Sequence, residues 1–137
     1  MSPVKKAVHI GNYSHKIKFD WQDYQETWKQ VLLEVHELKK ALKLLKTSAN
    51  KKTSQKKQAR SEVSHELGDV FFTLAQLARH LGMDADKAFT EANQRIWGRI
   101  QHMEKLCKKD KQVFKKLSDR NKEKLWKKVK KAEKTKV

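Results

Sequence analysis

From Trp21 onward the apolar side chains fall at Tyr24, Trp28, Val31, Val35, Leu38, Leu42 and Leu45, separated alternately by three and four residues. A helix gathers side chains so spaced onto one stripe, and a stripe this regular is the seam through which bundle helices pack. Asp20 is placed to cap this helix, and Asp23 and Glu26 lie in the early turns, where the helix dipole favours anions. A second helix is predicted from about Ala59 to Leu81, with Val63, Leu67, Val70, Phe71, Leu74, Leu77 and Ala78 on a broad face and Gly82 as its stop. A third runs from Asp84 or Asp86 to about Leu106, burying Phe89, Ala92, Ile96, Ile100, Met103 and Leu106. A shorter fourth follows Ser118 and Asp119 on the stripe Leu125, Trp126 and Val129. No segment alternates with period two for long enough to make a strand. The expected fold is all-α, most simply a four-helix bundle.

This pattern organises the chain as an N-terminal extension over 1–18, one all-α domain over 19–133 and a tail over 134–137. Within the domain, residues 47–58 (TSANKKTSQKKQ) lose apolar periodicity and read as a basic, mobile connection. The second helix is apolar around so wide an arc that one packing neighbour does not cover it, which points to self-association.

Charge and cysteine content narrow the classes of function. The net charge of +17 is uneven: residues 38–60 carry +9 and 105–137 carry +11, whereas 1–37 sum to zero and 61–104 to −3. Lysine supplies 28 of the 33 cations, and bidentate readers of bases and phosphates are more often arginine. The excess therefore reads first as a solvated surface, with nucleic acid a possible but disfavoured partner. No apolar run approaches the roughly 20 residues of a spanning helix. Residues 1–20 contain no signal-like apolar stretch, and the single Cys107 forms no internal disulfide. The expected location is the cytoplasm, with no membrane partner.

The chemistry rests on acids. Glu34 and Glu37 stand three apart on the first helix, and Glu66 and Asp69 repeat that spacing on the second. Residues so spaced project from one side of a helix, a turn apart. All four sit at the edge of the apolar stripes. Four carboxylates facing one another across packed helices repel unless a cation joins them. Hard oxygen ligands in this number suit Mg²⁺, with Mn²⁺ a possible substitute. Gly68, inside the second pair, leaves room for a close approach of backbone or ligand.

Two segments carry a family resemblance. Phe19 to Leu38, FDWQDYQETWKQVLLEVHEL, and Val63 to Gly82, VSHELGDVFFTLAQLARHLG, resemble the MazG type of all-α nucleoside triphosphate pyrophosphohydrolase, whose EExxE and ExxD motifs read here LEVHE and ELGD. The likeness continues through AFTEANQRIWGRIQHME and KLWKKVKKAE. It implies Mg²⁺-dependent hydrolysis of a nucleoside triphosphate to the monophosphate and pyrophosphate, in a homodimer or dimer of dimers. It also implies that Glu34, Glu37, Glu66 and Asp69 are the metal-holding, catalytic set and that Asn93, Arg95 and Arg99 bind substrate. Leu33 replaces the first Glu of EExxE, a position that in some relatives helps activate water, and the 28 residues between Glu37 and Glu66 form a longer, more basic connection than is usual. His36, His65 and His80 read as structural or surface side chains, Trp97 as core, and Cys107 as unreactive.

Overall fold

The structure, a computed structural model, describes residues 1–134. It contains no strand among them and five α-helices: α1 (Pro3–Lys16), α2 (Tyr24–Thr47), α3 (Thr53–His80), α4 (Ala85–Lys109) and α5 (Asp119–Lys134), with one-turn 3₁₀ segments at Ser48–Asn50 and Phe114–Lys116. The all-α class is as expected. The chain forms two compact units, 1–88 and 89–137, which divide within α4. Of the expected tail, residues 135–137 lie outside the described residues.

In the first unit, α2 and α3 form a helical hairpin and α1 packs on α3. The apolar seam of α2 is displaced by about one residue from the expected one. Thr27, Val31, Ala41 and, just beyond the helix, Ser48 are buried, whereas Tyr24, Trp28, Val35 and Leu42 are exposed. Small residues at the contact let the two backbones approach, and the bulky stripe is left on the outside. The helix begins three residues later than expected: Asp23 caps it by accepting from Glu26 N at 3.0 Å.

The N-terminal extension is helical, and so is the second half of the segment expected to be a mobile connection. Residues 3–16 form α1, capped by Ser2 Oγ, which accepts from Lys5 N at 3.1 Å, with Pro3 in the first turn. The connection shrinks to a short turn, because α3 begins at Thr53 and runs unbroken for 28 residues. Lys, Gln, Ala and Arg are strong helix formers whether or not they alternate with apolar residues, so Thr53–Gln58 is a solvated extension of the helix.

Gln76 joins α1 to α3. Its side chain is fully buried, donates from Nε2 to Ala7 O at 2.7 Å and accepts from Arg79 Nε at 2.7 Å. Arg79 in turn forks onto both oxygens of Asp20, at 2.7 and 3.0 Å, and His80 and His15 each approach the same carboxylate to 3.1 Å. Gly11 is buried against this network: a Cβ there would lie 1.9 Å from Gln76 Oε1. Gly82 ends α3 as expected, at φ +69°, with Met83 N bonded to Ala78 O and Gly82 N to Arg79 O.

In the second unit, Met103, Cys107 and Val129 are buried, and Phe89 and Ile96, expected in the core, are exposed. Ser118 caps α5 by accepting from Asn121 N at 3.1 Å.

Candidate active site

The α2–α3 hairpin brings the two acidic pairs to one level. On α3, His65, Glu66 and Asp69 place one ligand atom each within 4.8 Å of one another. His65 Nε2 lies 3.3 Å from Asp69 Oδ2, a contact that their four-residue spacing on one helix face produces. Across the hairpin, Glu34 and Glu37 stand near enough to act on Glu66. Their carboxylates have local partners: Glu34 Oε1 accepts from Gln30 Nε2 at 2.8 Å, and Glu37 Oε1 is 3.5 Å from Lys40 Nζ.

The electrostatics reflect this crowding. Partial burial and then the neighbouring Asp69 carboxylate raise the Glu66 pKa, with Glu34 and Glu37 adding to the rise and His65 opposing it. A carboxyl so placed favours either a proton or a cation. The converging donors are two carboxylates and an imidazole, with Glu34 and Glu37 near by, and their hard oxygens suit a divalent ion of the Mg²⁺ or Mn²⁺ type. His65 is the group that sequence reasoning set aside; its spacing from Asp69 was the available signal. No other described part of the chain approaches Gly68: a Cβ there would meet nothing within 4 Å.

A groove of about 450 Å³ runs from this cluster toward the hairpin turn. Glu37, Glu62 and Glu66 line it beside the cluster, Lys40 follows a turn along from Glu37, and Lys51 and Gln55 line it near the hairpin turn.

The expected substrate residues belong to α4 in the second unit. Asn93 and Arg95 are exposed there. Arg99 is engaged: its Nε lies 3.0 Å from both oxygens of Glu133, and its guanidinium stands 5.3 Å from the centre of the Trp126 ring. The hydrogen bond from Arg99 holds the Glu133 carboxyl below its ordinary pKa. Trp97 is 60% exposed, not core, and His80 sits in the Asp20 network.

With this geometry established, one known protein is informative. The chain is distantly similar to MazG. The nucleoside triphosphate pyrophosphohydrolase/pyrophosphatase MazG of Thermotoga maritima is 28% identical over 132 residues, which make up 96% of this chain and 46% of that protein. The chain thus spans about half the length of the curated relative it matches. No protein-family model matches it. The similarity to MazG extends across both units, from the hairpin that carries the acids to α4 and α5. No described helix is long and apolar enough to cross a membrane.

Proposed function

We propose that this chain hydrolyses nucleoside triphosphates to the monophosphate and pyrophosphate in a Mg²⁺-dependent reaction. The observation that carries the reading is the convergence of His65, Glu66 and Asp69, with Glu34 and Glu37 opposite, on a protein similar to MazG over nearly its whole length. Glu34, Glu37, Glu66 and Asp69 hold the cation. When bound, it neutralises phosphate charge and lowers the pKa of water.

The reaction joins water oxygen to the α-phosphorus and breaks its bond to the α–β bridging oxygen, whose electron pair leaves with pyrophosphate. The proton of the attacking water needs an acceptor. Leu33 offers none, so a group of the cluster itself takes it. Arg95 and Asn93, exposed on α4, remain available to substrate, whereas Arg99 must first leave Glu133. Self-association completes the reading: Trp28, Leu32 and Val35 on α2 and Phe71 and Leu74 on α3 are large apolar side chains that the first unit leaves exposed.

The test is pyrophosphate release from the common NTPs and dNTPs, with and without Mg²⁺. Turnover is expected only with the ion, and Asp69→Asn or Glu37→Gln should abolish it while helical content measured by circular dichroism is retained. Full activity in both variants would remove the proposed site.

A further inference from the structure

We infer that the groove between α2 and α3 is a polyphosphate channel in which Lys40 and Lys51 hold the phosphate chain of the nucleotide beyond the carboxylate cluster. The inference rests on the hydrolase reading for its substrate, but the channel is defined by its own lining. The groove spans residues 37–48 of the hairpin's first arm and 51–66 of its second. At a rise of about 1.5 Å per residue, the α2 side alone is about 16 Å long.

Charge along it is graded. Glu37, Glu62 and Glu66 repel phosphate at the cluster end, Lys40 offsets them a turn along from Glu37, and Lys51 attracts phosphate at the hairpin-turn end. Between Leu38 and Arg60 there is no acid at all, so Lys51 has no carboxylate near it in sequence, whereas Lys40 stands beside Glu37. Gln55 and Gln58 add neutral amide donors along the α3 wall. A linear phosphate chain matches this gradient in one direction only. The phosphates nearest the reacting bond lie toward the acids, where a cation is needed, and the terminal phosphate lies toward the lysines.

Lys40 has a defined role in this arrangement. Its Nζ is 3.5 Å from Glu37 Oε1, so it neutralises a proposed ligand when no cation is there. Were Glu37 to hold a cation, Lys40 would no longer be needed to balance its charge and would be free to meet phosphate. Lys51 is exposed and forms no ion pair among the described residues. Both lysines sit where pyrophosphate would depart, and both would stabilise its growing negative charge.

The experiment measures binding of inorganic tripolyphosphate by isothermal titration calorimetry, with Mg²⁺ and with EDTA. It compares the unmodified chain with Lys40→Gln, Lys51→Gln, and the matched surface changes Lys43→Gln and Lys56→Gln, which lie on the same hairpin outside the groove. Loss of a charge-assisted contact should weaken tripolyphosphate about tenfold in each groove variant. The two outer variants should stay within about twofold, since they alter only the diffuse field. Equal weakening in all four would mean nonspecific attraction and overturn the channel, as would unchanged affinity in the groove variants or no binding by the unmodified chain.

Pyrophosphate release measured on the same samples separates the two ideas. Selective loss of tripolyphosphate at Lys40 and Lys51 without hydrolysis of any nucleotide keeps the channel and ends the hydrolase reading. Hydrolysis without that selectivity does the reverse.

Discussion

At the scale of single residues, Asp20 shows how a side chain expected to cap a helix is put to other use. Its burial alone would raise its pKa, but hydrogen bonds and charge from Arg79 and His80 outweigh that and hold the carboxyl well below its ordinary range. A carboxylate with a depressed folded-state pKa contributes stability that is fully present above its unfolded value near 4 and is lost as pH falls through the folded value. Asp20→Asn should therefore cost about 3 kcal/mol at pH 7, because it strands a buried guanidinium. The gap between variant and parent in urea melts should narrow as the pH approaches 2. A gap that stays constant over that range would place the stabilisation elsewhere. Leu33 calls for the opposite kind of test. It is exposed and adjoins Glu34, so Leu33→Glu can add an acid beside the cluster without disturbing packing. If water activation limits turnover, kcat should rise by about 10²-fold with little change in KM; a folded, metal-binding variant with no gain would show that the missing acid is not limiting.

At the scale of elements, α1 is anchored by polar contacts and a glycine, with little apolar burial. Gly11→Ala should force the fully buried Gln76 or Arg79 to move and cost about 1–3 kcal/mol, with hydrogen exchange rising in α1 before it rises in α2. Protection that falls equally in both helices would mean that α1 is not a separate foldon. The same helix explains where sequence reading stopped. Apolar periodicity found α2, α3, α4 and α5 because each buries a stripe, and it passed over α1 because Gly11 and Gln76 do the work that leucines do elsewhere. Ser2 and Pro3 were legible start signals that periodicity did not weigh. The connection was misread for a related reason: Thr53–Gln58 has no partner to pack on, so helix propensity alone fixes its state. On α2 the heptad spacing was right and the face was shifted, since threonine and serine at the contact are polar and alanine is too small to mark a stripe beside tryptophan and leucine. The spacing of Glu66 and Asp69 was legible, and the contact of His65 with Asp69 was not weighed, because helix registry alone does not tell a surface histidine from one that joins a carboxylate.

At the scale of the whole molecule, the shifted face leaves much apolar surface on the hairpin. Trp28 is 49% exposed and Phe71 62%, and an apolar hollow of about 360 Å³ lined by Tyr24, Trp28, Leu77 and Leu81 opens between α2 and α3. Continuous surface of this kind marks an interface. Sedimentation at micromolar concentration should give a dimer or larger, and Trp28→Glu with Phe71→Glu should give a monomer whose melting temperature no longer depends on concentration; an unmodified chain that sediments as a monomer would end the proposal of self-association. The division into two units has a separate consequence, which the buried Cys107 makes measurable. At 2% exposure in the second unit, its thiol is shielded from solution reagents while α4 and α5 stay closed. The chain thus carries its own chemical clock: the rate at which a disulfide-exchange reagent labels that one sulfur counts openings of the second unit. When that rate exceeds the rate of global unfolding, the two units open separately.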